Sequence, residues 1–319
     1  VKQRYPDTIR LILSGLSDRE MIKRSVGVAH QFLAKPCDLE VLKSAVRKAS
    51  TIRGRLKNEE LEKLVGEVNT LPSLPPWYQK LQEELQNPEC DINRVADIIS
   101  QDVGMSAKML QLVNSAFFGI PRHIESVQKA LVMLGFETTE SLVLTTGVFQ
   151  QFEAAEVKRF SLTEVFEHSL RVGTMAGQLV GEQVKDKQLA ADAAVAGMMH
   201  DVGKLLFVRK IPDQYKAICD EAEAAGKPVF AGEIEHYGFS HAELGGYLLG
   251  LWGFPDDIVE AVVFHHRPGD VGKPQEGPLA AVHLANVADY SSEERKGLLD
   301  EEFLETVGMK HRAREFLQD

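Results

Sequence analysis

The chain has 319 residues, 44% hydrophobic and 26% charged, with a formal net charge of −11. That is the composition of a soluble globular protein long enough for two domains. It excludes a disordered chain and a small disulfide scaffold. The three cysteines, Cys37, Cys90 and Cys219, are odd in number and far apart, which points to a reducing, cytoplasmic setting and away from a Cys-based zinc site. No apolar run approaches the ~18 residues of a membrane span, and the start, Val1–Asp7, carries no signal-peptide pattern. Residues 1–66 hold 14 Lys and Arg against 8 Asp and Glu, so the rest of the chain is strongly acidic. An acidic body is a poor partner for duplex DNA. The N-terminal cations are expected on solvated helix faces.

Ile9–Gly15 is a short apolar run closed by Gly, as in a buried parallel strand. Asp18 can cap a helix through Met21, Ile22, Val26 and Val28. Gln31–Ala34 is a second short strand, closed by Lys35–Pro36, and a further helix holds Leu39, Val41, Leu42, Ala45 and Val46. The alternation predicts an α/β unit. It resembles the last part of a response-regulator receiver domain, in which a Ser or Thr ends the fourth strand and Lys-Pro ends the fifth. The resemblance implies that Ser14 and Lys35 neighbour a phosphorylation site, with a cognate histidine kinase as partner. The phosphoacceptor Asp of that family would lie upstream of Ser14 and is absent from the chain. Residues 1–50 are therefore expected to be the C-terminal part of a truncated receiver.

Residues 51–70 read as a helical linker, with Ile52, Leu56, Leu61, Leu64 and Val68 on a near-helical stripe and a weak dimer signal. Leu71–Pro76 is a stiff break. Helices then follow almost continuously, at 76–87, 91–101, 104–115, 124–135, 137–152, 161–183, 187–200, 212–225, 230–236, 240–251, 255–265 and 277–290. Asp91, Ser240 and Asp257 lie near starts, and Gly119, Gly135 and Gly253 near ends. Asp91–Val113 has the outline of a helix-turn-helix. Its second helix offers only Lys108 as a cation, so simple helix packing is the expected role.

The sharpest chemical signal is Gly197-Met198-Met199-His200-Asp201-Val202-Gly203-Lys204. His168 lies upstream; His241 and the pair His265-His266 lie downstream. Seven of the ten histidines fall between residues 168 and 283. Imidazole nitrogen mixed with carboxylate oxygen suits divalent Fe, Mn, Mg or Zn, a bound cation would activate water, and Lys204 could hold a phosphate oxygen beside it. The region resembles the HD superfamily of metal phosphohydrolases, whose ligands are His, then His-Asp, then a distant Asp. His168, His200 and Asp201 match the first three. Asn286 stands where the last Asp is expected, and Asp289 follows three residues on. His241, His265 and His266 resemble the extra ligands of HD-GYP cyclic-dinucleotide phosphodiesterases, without the Gly-Tyr-Pro signature. Met198, Met199, Trp252 and Pro255 read as packing residues.

More of the chain resembles the HDOD output domain. The match rests on Leu71-Pro72-Ser73-Leu74-Pro75, Ile98-Ile99-Ser100-Gln101-Asp102, Leu112–Gly119, Ala130–Gly135, the His-Asp segment and Leu251–Pro255. The resemblance implies a mainly α chain: an all-helical HDOD domain over 71–290, a C-terminal helical tail over 291–319, and the partial α/β receiver fragment before them. It further implies a two-component response regulator whose HDOD domain is a non-catalytic module for a protein partner, with a homodimer as one route of signalling. The alternative is a metal-dependent HD-type phosphohydrolase acting on a nucleotide or cyclic dinucleotide, with Lys204 in its catalytic machinery.

Overall fold

The computed structural model describes residues 11–15, 31–35 and 39, the greater part of 76–150, and 161–317 apart from 184–185, 253, 292–294 and 296. The linker at 51–70 and the segments Leu71–Pro75 and Asn114–Gly119 lie outside the described residues.

Both N-terminal strands are present. β1 (Leu11–Gly15) pairs in parallel with β2 (Gln31–Lys35), Leu11 opposite Gln31 and Gly15 opposite Lys35. Parallel pairing requires a crossover between the strands. The register sets Ser14 and Lys35 at the C-terminal ends of neighbouring strands.

Residues 74–154 form one compact unit. Its described helices are α1 (Pro76–Leu85), α2 (Ile92–Ser100) and α3 (Val127–Gln150). Asp91 caps α2, its carboxylate accepting from the Asn93 N–H at 2.9 Å. Met105, Met109 and Val113, spaced by four, are fully buried. The second half of the helix-turn-helix outline therefore presents a packing face. Gly135 breaks α3 with φ 77° and ψ 168°, a conformation that favours glycine, so the helices expected on either side of it are separate rods.

Residues 155–319 form the helical body that carries the chemistry. Its helices are α4 (Leu162–Gln183), α5 (Lys187–Met199), α6 (Val202–Lys210), α7 (Pro212–Ala224), α8 (Val229–Tyr237), α9 (His241–Leu251), α10 (Asp256–Phe264), α11 (Pro278–Ala288), α12 (Glu301–Thr306) and α13 (Lys310–Phe316). α4 and α5 pack antiparallel at very short range: Gly173 faces Met198, Gly177 faces Ala194 and Gly181 faces Ala190. α11 is buried at every residue from Pro278 to Val287 and packs on α4, α5 and α10. It is the axis of the core, and its lack of a polar face follows from that position.

α6 is not foreshadowed by the sequence pattern. The helix buries Val202, Gly203 and Leu205–Val208, so it shows no one-sided apolar stripe by which periodicity could reveal it. Behind the core, His283 of α11 donates from Nδ1 to the carbonyl of His265 at 2.8 Å and accepts at Nε2 from the Asp300 N–H at 3.0 Å. Asp300 in turn caps α12 at Phe303.

Candidate metal centre

Five elements converge on one polar cluster inside this body. His168 projects from α4. His200 and Asp201 occupy the turn between α5 and α6, and His241 is the first residue of α9. His265 and His266 directly follow α10. Gly203, the second residue of α6, lets that helix approach the start of α9 closely: a Cβ there would lie 2.0 Å from the His241 carbonyl oxygen. This contact draws Asp201 and His241 together across two helices.

The atoms sort into two groups that share Asp201. His168 Nε2 lies 3.1 Å from His200 Nε2, and Asp201 Oδ2 lies 3.7 and 3.5 Å from those same two atoms. Asp201 Oδ1 turns the other way, 3.1 Å from His241 Nε2. His241 Nε2 is also 3.0 Å from His266 Nε2, and His265 completes that group. The potential donors within each of the two sets, His168, His200, Asp201 and His241, His265, His266, lie within 4.8 Å of one another.

Hydrogen bonds fix the ring tautomers. His200 Nδ1 donates to the Gly197 carbonyl at 2.7 Å and His265 Nδ1 to the Val262 carbonyl at 2.7 Å. His168 Nδ1 donates to Asp289 at 2.7 Å and His241 Nδ1 to Glu233 at 2.7 Å. A carbonyl or carboxylate only accepts, so each Nδ1 carries the proton and each neutral ring turns an Nε2 lone pair inward. Buried lone pairs facing one another at 3.1 Å are repulsive with nothing between them. His265 Nε2 and Asp201 Oδ1 are buried without a hydrogen bond, a state normally avoided. This donor set fits a divalent cation in each group.

The electrostatics agree. Burial pushes His200 down to about 3 and holds His265 and His266 well below the usual imidazole range. Burial opposes ionisation of Asp201, but the neighbouring Lys204 ammonium outweighs it and keeps the carboxylate charged. Lys204 Nζ donates to Asp201 Oδ2 at 2.7 Å. Burial also works against a charged His241, yet the Glu233 carboxylate raises its pKa. A cation bound there would take the place of any proton on its Nε2.

The fourth position divides between two roles. Asp289 sits behind His168, at Nδ1, and is gripped by Arg171 at 2.6 and 2.8 Å. It orients the ring and does not face the cluster. Asn286 is buried on α11 with its Oδ1 unpaired. Three further residues support the cluster without a sequence signal: Arg171, Glu233 and Tyr215, whose hydroxyl donates to Glu233 at 2.8 Å. None stands at a diagnostic spacing from the histidines.

A helical body whose His and Asp residues, carried on helices and at helix ends, gather at one buried point is the architecture of an HD-type domain. The chain belongs to the HDOD domain family, whose model matches residues 71–268. An HDOD domain protein of unknown function from Geobacter sulfurreducens shares the fold at 23% identity and TM-score 0.64, covering 82% of this chain and 87% of that one. A Shewanella amazonensis protein provisionally named a metal-dependent phosphohydrolase does so at 22% and 0.53, covering 83% and 90%. An uncharacterised Treponema pallidum protein is 23% identical over 224 residues, 70% of this chain and 43% of that one. The chain thus spans less than half the length of this curated relative. At these identities the structural likeness is one of fold. Among the described residues no helix is long and apolar enough to cross a membrane.

Proposed function

We propose that this chain is a signal-transduction protein whose HDOD domain holds two divalent cations and hydrolyses a phosphate ester beside them. The observation that carries the proposal is the inward array of Nε2 atoms around Asp201, with the opposite Nδ1 of His168, His200, His241 and His265 already committed. Mixed N and O donors suit Fe, Mn, Zn or Mg. Cations there would supply Lewis acidity and lower the pKa of an attacking water.

The chain's own residues do the rest. Asp201 holds the two groups in register through its two oxygens. Its ion pair with Lys204 places an ammonium at the edge of the centre. His168, Lys204 and Asp289 retain 15%, 16% and 11% side-chain exposure, whereas His200, Asp201 and His241 are at 0–1%. A phosphate would therefore approach from the His168–Lys204 side, where Lys204 can pair with one oxygen. Nucleotides and cyclic dinucleotides are the substrates to screen. Cation-stimulated hydrolysis that His200→Ala and Asp201→Ala both abolish is the expected result; a folded wild type inert toward mono- and diesters with every cation would defeat the reading.

The burial of most of the cluster, together with Asn286 in place of a carboxylate, favours a second reading: a non-catalytic output module acting through a protein partner. It gains if phosphorylation of a complete receiver changes partner binding or dimerisation while no ester is cleaved. The receiver resemblance, and with it a cognate histidine kinase, a cytoplasmic setting and no role for DNA, belongs to the signalling proposal. β1–β2 pairing with Ser14 and Lys35 at the strand ends supports it.

A further inference from the structure

We infer that Glu233, braced by Tyr215, is the positioning residue of the second cation group, holding His241 in the one tautomer that can bind a cation. The inference rests on the two-cation reading and adds to it a residue outside the ligand set.

The need for such a residue follows from helix geometry. His200 and His265 stand at helix C-termini, where a carbonyl three residues back, of Gly197 or Val262, is free to take the Nδ1 proton. His241 stands at a helix N-terminus. No preceding turn exists there, so the acceptor must come from another element. Glu233 of α8 supplies it. Its Oε2 accepts both the His241 backbone N–H and its Nδ1–H, each at 2.7 Å, while Oε1 accepts from Tyr215 of α7. Glu233 is fully buried and Tyr215 nearly so.

A capping role alone does not explain this. Ser240 already caps α9 in a reciprocal pair with Glu243, and the contact to Nδ1 adds nothing to a cap. The arrangement has the form of a carboxylate–histidine pair behind a metal ligand, which fixes the ring and raises its basicity. Tyr215 stacks on Phe207, ring centroids 5.0 Å apart, so the brace is itself locked in the core.

The test titrates cobalt(II) into the full, cation-free chain by absorption and elemental analysis, and reads the His241 ring nitrogens by 15N NMR. Wild type should take up two equivalents. Glu233→Gln should weaken the second uptake by about 10–100-fold, leave the first within about threefold, and scramble the Nδ1–H tautomer. Tyr215→Phe, which deletes only the brace, should weaken the same uptake by a smaller factor and decides the matter should Glu233→Gln not fold. Equal uptake at both sites in the folded variants, with the tautomer unchanged, overturns the role of Glu233 alone. A wild type that takes up fewer than two cations overturns the two-cation reading and this inference with it.

Discussion

His168 and His200 face each other through their Nε2 atoms at 3.1 Å, while each ring gives its Nδ1 proton to a partner on the far side. Neither ring can donate to the other in the neutral state. A contact of this kind between buried bases is stable only with a proton or a cation between them.

Asp201 serves both groups, so its loss should be felt twice. Elemental analysis of purified protein is expected to give two cations per chain, one in His168→Ala and one in His266→Ala. Asp201→Ala should retain neither. An Asp201→Ala protein that still holds one tightly would show that the two groups are independent.

The close approach at Gly203 makes a steric prediction. Gly203→Ala places a methyl group 2.0 Å from the His241 carbonyl, whereas Gly272→Ala meets nothing within 4 Å. The first should cost about 2–3 kcal/mol and the second almost nothing. In thermal unfolding, Gly203→Ala should also lower cation content, since α6 and α9 must move apart.

Acid should destabilise the cation-free protein. His200, His265 and His266 are kept neutral in the fold but protonate near pH ~6.5 when unfolded. Below that value the unfolded chain binds more protons, so stability falls as pH drops, for His200 until about pH 3. His241 has a raised pKa and works the other way, its contribution present below pH ~6.5 and lost as pH rises through its folded value. Burial lowers His283 as well, so four depressed histidines stand against one raised, and Tm should be lower at pH 5 than at pH 7.5. An equal or higher Tm at pH 5 would contradict this balance.

Asp289 is predicted to matter for the first group. Burial acts to raise its pKa, but His168 and Arg171 prevail and hold it at about 2. Its stabilisation is present above pH ~3.9 and disappears as pH falls through about 2. At neutral pH Asp289→Asn should cost on the order of 1 kcal/mol, allowing for partial screening. It should also weaken first-group cation affinity by about 10–100-fold, measured by titration.

Much of this architecture is legible in the sequence because local rules and tertiary packing agree. Asp91 and Ser240 cap where their spacing predicts, Gly135 divides α3, and Met198 and Met199 are buried. His168, His200 and Asp201 announce themselves by residue type and meet in space. What stays hidden is set by contacts between distant segments. α6 carries no stripe because six of its nine residues are buried. Glu233 looks like any helical glutamate until α8 is laid against α9. Asp289 has the chemistry of a ligand, and only the fold shows that it touches the back of a histidine.

The hydrogen bonds behind the core bear on where the domain ends. The family match stops at residue 268, yet the carbonyl of His265 is grasped by His283, and His283 is grasped by the backbone of Asp300. The loop that presents the histidine pair is thus tied to a segment beyond that limit. A protein cut at residue 268 would keep every histidine of the second group and lose the tether that holds two of them in place. A functional unit therefore extends at least through Asp300 and the helix it caps.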